Sequence, residues 1–402
     1  MTALTGRTGR ILAGAVLLNL MTGSLYAWSL FIAPAQEALD VGRAAVSSIF
    51  AVATVAFAAT MFLAPVLVRP GTALKPALAT TALAAGGLLL SGMAESLWGV
   101  ILGYGVLFGF ASGIAYSAAL QAAVGALESR RGLATGIAVS SYALGAVVFA
   151  PLFRIGPERW GVWDTFLITA AIFAAMGIAG ALLIAPAQIP RPDDQEGGGK
   201  VSGPFWRLWF CFFCGCTAGL MALGHAAAIV NAYDLVAPAA ALGTGLITAA
   251  NGAGRLASGF ATDYLRPRTV LLGGKVLAAA VLAALAVFGA APLVYIVLAL
   301  IGFAYGSMAS GYPAATVQYY GPANLGRVYG RLFSAWGAAG LTAPPLAGYL
   351  FDLTGAYTLA LAVASGAAVL GVVFLWTVPP PPDARGTQRK MPLEQTACRK
   401  ND

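Results

Sequence analysis

Apolar segments of about 20 residues recur from one end of this 402-residue chain to the other. Each is long enough to cross a hydrocarbon core of roughly 30 Å as a helix. Hydrophobic residues make up 59% of the sequence and charged residues 9%, a balance far from that of soluble globular domains. The sequence therefore predicts an all-α membrane protein in a lipid bilayer.

The apolar segments predict twelve transmembrane helices, numbered helix 1 to helix 12 in chain order. Their approximate ranges are 10–33, 44–68, 74–93, 97–125, 132–154, 162–186, 205–233, 241–263, 268–288, 292–318, 326–350 and 356–378. The first apolar run begins at Ile11, is too long for a cleavable signal and lacks a small-residue cleavage site. We expect it to remain in the protein as helix 1.

Lys and Arg residues are divided unevenly between the two sides of the predicted bundle. One side, called the basic side, carries 19 of the 23. They are Arg7, Arg10, Arg69, Lys75, Arg130, Arg131, Arg191, Lys200, Arg207, Arg266, Arg268, Lys275, Arg327, Arg331, Arg385, Arg389, Lys390, Arg399 and Lys400. The opposite side carries Arg43, Arg154 and Arg159. The positive-inside rule predicts a multi-pass protein of the cell inner membrane with both termini in the cytoplasm. The net charge of +8 thus reflects topology and gives little support to a nucleic-acid partner.

Arg255 is the one Lys, Arg, Asp or Glu that the predicted spans place deep in the bilayer. A guanidinium stays charged in a protein, so this position is unfavourable without a partner, a wet cavity or a bound anion. An internal salt bridge is the alternative, but no acidic residue lies at comparable depth in the predicted spans. Because the guanidinium offers parallel N–H donors to a carboxylate, we expect Arg255 to bind a small carboxylate anion.

A linker and an internal repeat divide the chain into halves. The segment from Pro186 to Pro204 is rich in Pro, Gly and polar residues, as linkers are. We predict a bundle of helices 1 to 6 over 1–186, a cytoplasmic linker over 187–204, a bundle of helices 7 to 12 over 205–380, and a cytoplasmic tail over 381–402.

The repeat relates two pairs of helices at nearly one offset. The run from Gly109 to Gly113 in helix 4 matches the run from Gly302 to Gly306 in helix 10, 193 residues later. Three residues of helix 5 match three of helix 11 at an offset of 194: Gly132, Gly136 and Pro151 match Gly326, Gly330 and Pro345. These matches predict two six-helix bundles related by pseudo-symmetry.

Twelve helices, a central loop and six-helix repeats resemble the major facilitator superfamily over essentially the whole chain. That resemblance implies a substrate cavity between the halves. It also implies a cytoplasmic gate in the loop signature Gly259-Phe260-Ala261-Thr262-Asp263, which Arg266 and Arg268 follow. We expect Asp263 and these arginines to form an electrostatic latch. The matching loop after helix 2, residues 69–75, lacks the acid.

Two segments are similar to the oxalate/formate antiporter family and its bacterial monocarboxylate-transporter relatives. One is the helix 1 pattern from Asn19 to Phe31, which includes Leu25 and Tyr26. The other, from Asn251 to Asp263 in helix 8, resembles the segment in which that family carries its substrate-binding arginine, here Arg255. The resemblance implies a substrate site to which Asn19, Leu25 and Tyr26 contribute.

Further side chains are predicted to complete this site. Asn251, one turn before Arg255, either holds the guanidinium, contacts the substrate or packs between helices. His225, the one histidine, faces the cavity by the resemblance, and imidazole chemistry suits proton coupling. Sharing a substrate with Arg255 requires a bend in helix 7, which Gly219 and Gly224 favour. A histidine bonded to a helix carbonyl is the alternative.

Aromatic residues are the remaining candidates. Tyrosine hydroxyls in helices 1, 4, 5 and 10 are potential donors to a carboxylate, and packing is the alternative for each; they are Tyr26, Tyr116, Tyr142 and Tyr312. Tyr116 is favoured because it resembles the family's helix 4 tyrosine. Trp336 and Leu25 are expected in the apolar wall.

The expected function is alternating-access transport of a small monocarboxylate such as lactate, pyruvate, acetate or formate. The family's dicarboxylate carriers rely on a second cation in helix 11, and the segment from Leu332 to Leu341 has none. Proton symport is favoured over carboxylate exchange. Drug efflux and carboxylate sensing are less favoured hypotheses, because drug efflux predicts an acid in the cavity and sensing predicts a docking domain.

We expect no enzyme activity, since no nucleophile–base pair appears within the helices. We also expect no cofactor, no metal and a monomeric state. The cysteines are interpreted as packing residues because they lack paired zinc-ligand spacing; they are Cys211, Cys214, Cys216 and Cys398.

Overall fold

The computed structural model describes residues 6–191, 204–233, 239–289 and 291–381, and these residues are mostly helical. The helices are, in order: helix 1, Gly6–Gly23, Ser24–Phe31 and Ile32–Leu39; helix 2, Arg43–Leu67; helix 3, Leu74–Ala94; helix 4, Leu97–Val100, Ile101–Phe108 and Gly109–Ala126; helices 5 and 6, Arg131–Ile184; helix 7, Pro204–Gly224 and Ala226–Asn231; helix 8, Ala239–Ala261; helix 9, Pro267–Phe288; helix 10, Ala291–Tyr320; helix 11, Leu325–Leu332 and Ser334–Thr354; helix 12, Thr358–Thr377. The protein is an all-α membrane protein, as predicted.

Helices 5 and 6 form one helical run that reverses direction. In a straight helix Gly156 and Thr165 are about 13 Å apart along the axis, yet a Cβ added at Gly156 lies 2.7 Å from the Thr165 side chain. The reversal is at Gly161, whose φ of 84° is in the left-handed range that glycine tolerates. The run therefore contains two crossings.

Nine helical segments within the described ranges are long and apolar enough to cross a membrane. The segment Glu128–Ile184 counts once among them although it contains both helix 5 and helix 6. Helix 8 and helix 11 complete the set of twelve predicted crossings, because Ala239–Ala261 and Ser334–Thr354 also have membrane-spanning length.

The repeated glycines make the same helix contact in each half. A Cβ on Gly109 of helix 4 would lie 2.6 Å from the Ala53 carbonyl oxygen of helix 2. A Cβ on Gly302 of helix 10 would lie 2.3 Å from the Ile247 carbonyl oxygen of helix 8. Small residues allow such close approach of helix backbones in membranes. Helices 2 and 4 thus correspond to helices 8 and 10.

The second repeated pair of glycines lies where the halves meet. Gly136 of helix 5 packs on helix 8, where its Cβ would be 3.3 Å from the Arg255 carbonyl oxygen. Gly330 of helix 11 packs on helix 2, where its Cβ would be 2.2 Å from the Met61 carbonyl oxygen. Gly136 and Gly330 are 194 residues apart, and so are Met61 and Arg255. The two contacts between halves are therefore equivalent under the pseudo-symmetry.

Beyond the Gly330 contact, helices 2 and 11 border a groove of about 710 Å³. Its walls are mostly apolar and run from Phe50 to Leu63 on helix 2 and from Ser334 to Pro345 on helix 11. Within this stretch a Cβ on Gly337 would lie 3.0 Å from the Ala58 side chain, so the groove lies beside a contact between the two helices.

A short antiparallel pairing joins the helix 2–3 loop to the chain after helix 6. Gly71–Thr72 pairs with Gln188–Ile189, and the Ala73 amide donates to the Ala187 carbonyl oxygen at 3.0 Å. The start of the predicted linker is therefore attached to the first bundle. Most of the predicted linker, the predicted tail from residue 382 and Cys398 lie outside the described residues, so the domain boundaries stay predictions.

We predict that Gly302→Ala destabilises the protein by about 1–3 kcal/mol, because the added methyl group meets backbone that cannot rotate away. Thermal unfolding of the detergent-purified protein measures the effect. Gly366→Ala in helix 12 is the matched control, since a Cβ there has no neighbour within 4 Å. Equal melting temperatures for both variants would contradict close packing of helices 8 and 10.

Candidate functional site

Arg255 is buried in helix 8, with 5% of its surface exposed. Its Nε donates to Asn251 Oδ1 at 3.0 Å, and its NH1 nitrogen donates to the Val139 carbonyl oxygen at 3.1 Å. Val139 belongs to helix 5, so the guanidinium contacts both halves. A guanidinium has five N–H donors. The two bonds to Asn251 and Val139 leave donors for a carboxylate.

The backbone around Arg255 is held by helix 10. The Ser310 hydroxyl donates to the Arg255 carbonyl oxygen at 2.6 Å. One turn earlier, Gly306 packs on the Asn251 carbonyl oxygen, which a Cβ would approach to 2.1 Å. These contacts fix both the arginine and the residue that orients it. Of the three roles considered for Asn251, the structure shows the one in which its amide holds the guanidinium.

Arg255 lines a small cavity between the halves. The cavity volume is about 20 Å³, space for roughly one water molecule. Helices 1, 2, 4 and 5 of one half and helices 7, 8, 10 and 11 of the other contribute its wall. The lining residues are Tyr26, Phe57, Tyr116, Tyr142, Phe212, Arg255, Tyr305, Met308, Ala309, Tyr329, Phe333 and Trp336. The site is therefore one permanent cation surrounded by aromatic rings and hydroxyls.

Four of the predicted aromatic residues line this cavity: Tyr26, Tyr116, Tyr142 and Trp336. The Tyr26 hydroxyl interacts with the Arg255 guanidinium. The rings of Tyr116 and Tyr142 are perpendicular, with centroids 5.3 Å apart. Trp336 Nε1 donates to the Tyr305 hydroxyl at 2.6 Å. Five tyrosines, counting Tyr305 and Tyr329, place their rings around the space in front of Arg255.

Three predicted site residues pack elsewhere, and their assignment to the cavity is wrong. Leu25 is fully buried within the first half, where its carbonyl oxygen accepts from the Tyr104 hydroxyl at 3.2 Å. Asn19 donates to the Ala138 carbonyl oxygen at 2.7 Å and joins helix 1 to helix 5. Tyr312 lies behind the wall, stacked on Phe212 with ring centroids 4.1 Å apart.

His225 is also absent from the wall of this cavity, so its contact with the substrate stays a prediction. Helix 7 is interrupted at His225, next to the glycine that favoured a bend. The two ring nitrogens are 3.0 Å from the Tyr357 hydroxyl and 2.9 Å from the Pro344 carbonyl oxygen. The imidazole therefore joins helix 7 to helix 11 and to the residue before helix 12. The alternative of a histidine bonded to a carbonyl is the arrangement found.

Several lining residues were missed by the sequence interpretation. Tyr305 lies within the repeated Gly302–Gly306 run, and this position was a usable signal. Tyr329 lies between Arg327 and Arg331, which made its segment look like a cytoplasmic end. Phe212 and Met308 are apolar residues in apolar helices, and nothing in the sequence distinguishes them from other packing residues.

Lys275 corrects the prediction that Arg255 is the one deeply placed charge. It was counted with the basic side, but its side chain is 1% exposed within helix 9. Its Nζ donates to the Cys211 carbonyl oxygen at 2.8 Å and lies 3.5 Å from Met308 Sδ. The described part of the second half therefore contains two buried cations, of which Arg255 lines the cavity.

Comparison with known proteins settles the family. The family model described as Major Facilitator Superfamily matches residues 12–288 and 208–400, which together cover most of the sequence. The chain belongs to the major facilitator superfamily. It is a transporter and not an enzyme.

Among relatives of this transporter, the oxalate:formate antiporter of Oxalobacter formigenes is 27% identical over 353 residues, 85% of this chain and 84% of that protein. Monocarboxylate transporter 13 of Rattus norvegicus is 27% identical over 379 residues, 90% of this chain and 86% of that protein. The crystal structure of the transporter FucP in the outward conformation has a TM-score of 0.66 at 16% identity and covers 92% of this chain and 98% of its own. The last comparison supports the shared fold.

The transporter is closed on its basic side by a contact between Asp263 and helix 5. The Asp263 carboxylate accepts from the backbone amides of Gly132 at 2.7 Å and Leu133 at 2.9 Å. These are free N–H groups of the first helical turn, where a negative charge is also favoured by the helix dipole. The partner of Asp263 is thus the N-terminus of helix 5 in the other half, which differs from the partners predicted for the latch.

The two predicted latch arginines make no such contact between halves among the described residues. Arg268 NH2 donates to the Trp376 carbonyl oxygen at 3.2 Å within its own half. Arg266 is exposed at the residue before helix 9. Their assignment as partners of Asp263 is therefore wrong for this conformation.

We predict that Asp263→Ala opens the basic side. Losing two charge-assisted bonds between halves weakens closure by on the order of 2 kcal/mol. Spin labels at the exposed positions Glu128 and Arg266, on a cysteine-free background, should report a longer mean distance by electron–electron double resonance. Arg268→Ala is the control, because its contact lies within one half. An unchanged distance distribution in Asp263→Ala would refute this gate.

Proposed function

We propose that this transporter moves a small monocarboxylate, such as lactate, pyruvate, acetate or formate, across the cell inner membrane. The observation that supports this most is Arg255, a buried permanent cation that lines a cavity between the halves and retains unused N–H donors. A carboxylate is the anion whose two oxygens match this planar group. Hydroxyls of Tyr26 and Tyr116 in the opposite wall provide further donors.

Charge balance favours a monoanion. Among the described lining residues, Arg255 is the one charged group, so a single carboxylate neutralises the cavity. A second carboxylate would be left without a counter-ion, at a large desolvation cost. The two relatives, named as an oxalate:formate antiporter and a monocarboxylate transporter, also support a carboxylate substrate. Drug efflux has less support, because the described wall has no acid to attract a cationic drug.

Alternating access follows from the size and position of the cavity. A space for roughly one water cannot hold lactate, so entry requires the halves to separate. Arg255 donates to Val139 of the opposite half, and a bound carboxylate would compete for the same guanidinium. We propose that neutralising Arg255 lowers the barrier to rearrangement, because an uncompensated charge no longer passes through the apolar interior.

Proton symport makes this movement electrically neutral. Importing one negative charge against an inside-negative potential costs roughly 2.3 kcal/mol per 100 mV. One accompanying proton removes that cost. Exchange of one monocarboxylate for another also removes it, and the relationship to an oxalate:formate antiporter keeps exchange as the second candidate.

We predict that Arg255→Ala abolishes uptake of labelled lactate, acetate and formate by proteoliposomes. Arg255→Lys should retain the charge but lose at least tenfold in apparent affinity, because an ammonium cannot form the paired bonds of a guanidinium. A thermal-shift screen of short-chain acids identifies the best ligand first, since a ligand that binds the folded state raises its stability.

Arg10→Ala is the matched control for Arg255, because Arg10 is exposed near the start of helix 1. It should transport like the unmodified protein. Uptake by Arg255→Ala at the rate of this control would sink the assignment of the carboxylate site.

We also predict that an inward pH gradient accelerates net uptake into liposomes that contain no internal substrate. Symport requires this result because the proton moves with the anion. Exchange predicts the reverse pattern, with uptake that depends on internal carboxylate and does not respond to the gradient. A protonophore collapses the gradient and should remove the acceleration.

A further inference from the structure

Ala309 of helix 10 has the smallest side chain in the cavity wall. Nine of the twelve described lining residues are aromatic, and Arg255 and Met308 have long side chains. Ala309 is only partly buried, whereas its neighbours in the helix, Met308 and Ser310, are buried. The wall therefore lacks bulk at this one position among the described lining residues, and a group of the substrate can be accommodated there.

The aromatic part of the wall has little room to adjust. Phe57 is 1% exposed and packs against four other rings of the wall, with ring centroids between 5.3 and 5.8 Å apart; these rings belong to Tyr116, Tyr142, Phe333 and Trp336. Protein interiors are packed about as densely as organic crystals, so moving one of these rings displaces several others. A bound acid must therefore place its carbon chain where the rings are absent.

Ala309 and Arg255 belong to one packed pair of helices in the second half. The Ser310 hydroxyl donates to the Arg255 carbonyl oxygen at 2.6 Å. Gly306 packs so closely on helix 8 that its Cβ would lie 2.1 Å from the Asn251 carbonyl oxygen. Such close contacts through small residues hold membrane helices together. When the halves separate to admit a substrate, Ala309 therefore stays beside Arg255, whereas the tyrosines of the first half move away.

The size of the cavity brings the two residues within reach of one ligand. Both line a space of about 20 Å³, which holds roughly one water molecule. An acid whose carboxylate binds Arg255 therefore has its carbon chain within reach of Ala309. The methyl group of Ala309 and the adjacent thioether of Met308 offer this chain an apolar surface without a charge to satisfy.

We propose that Ala309 determines the chain length of the acids that this transporter accepts; this inference rests on the proposed monocarboxylate transport. The space at Ala309 takes the methyl group of acetate, lactate or pyruvate while the carboxylate binds Arg255. The substrate class is thus a short-chain monocarboxylate with a small apolar group. One methylene group in an apolar pocket changes discrimination between substrates by roughly 10- to 200-fold, so a side chain that differs by a few carbon atoms is enough to set this limit.

The first test is the ratio of lactate to formate uptake by proteoliposomes containing Ala309→Leu. Formate has no carbon atom beyond its carboxylate, whereas the methyl group of lactate would meet the added leucine atoms. We expect the lactate-to-formate ratio of initial counterflow rates to fall at least tenfold. Ala362→Leu is the matched control, because Ala362 is exposed on helix 12, and it should keep the ratio of the unmodified protein.

The second test, Ala309→Gly, changes the space in the opposite direction and adds no atoms to the core. It removes a methyl group from the wall, so 2-hydroxybutyrate, which is one methylene group longer than lactate, should be accepted better. We expect the ratio of 2-hydroxybutyrate to lactate uptake to rise roughly tenfold. Ala362→Gly introduces the same flexibility into an exposed helix position and should leave this ratio unchanged.

The ratios separate a role in selectivity from a role in packing. If Ala309 only packs between helices, Ala309→Leu lowers lactate and formate uptake together, and this unchanged ratio overturns the proposal. Where Ala309→Leu transports neither acid, an unchanged ratio of 2-hydroxybutyrate to lactate in Ala309→Gly overturns it. An unmodified protein that carries formate but not lactate also overturns it while leaving the carboxylate site intact. An unmodified protein that transports no monocarboxylate contradicts the proposed function itself.

Discussion

A permanent positive charge held within the membrane span is the constraint around which the second half of this transporter is organised. Asn251 lies one helical turn from Arg255 and orients it, Ser310 binds its backbone, and Gly306 lets helix 10 approach closely enough for these contacts. The guanidinium also donates to the Val139 carbonyl oxygen of the other half. The charge is thus partly satisfied by a surface that must move during transport, which makes substrate binding and movement of the halves interdependent.

The pseudo-symmetry shows which features belong to the scaffold and which to the substrate site. Gly136 and Gly330 allow the same close helix crossing at the two equivalent contacts between the halves, so these contacts belong to the scaffold. At the equivalent positions beneath them, one half has Met61 and the other has Arg255. The repeat thus provides the same helix packing in both halves. The arginine, which is present at one of the two equivalent positions, provides the charge of the cavity.

The helices, the repeat and Arg255 were accessible from the sequence because each depends on a local signal: apolar length, glycine spacing, or a charge where hydrocarbon is expected. Lys275 was misassigned because its one local signal, a position eight residues from the start of helix 9, is compatible with a side chain at the membrane–water interface. Only the packing of Gly215 and Gly371 around the amine shows that this side chain points inward. Tyr312 was misplaced because a helix has several faces, and apolar surroundings on every face leave no periodicity to indicate which one borders the cavity.

The contact of Asp263 with helix 5 has a consequence for how this gate tolerates mutation. The acceptor is a side chain, but both donors are backbone amides, which every residue other than proline supplies. The side chain of Leu133 can therefore vary without loss of the lock, whereas Gly132 is limited by its close packing on Gly259. Substitutions should therefore be tolerated at Leu133, on the amide side of the contact. They should be rare at Asp263, whose side chain supplies the carboxylate.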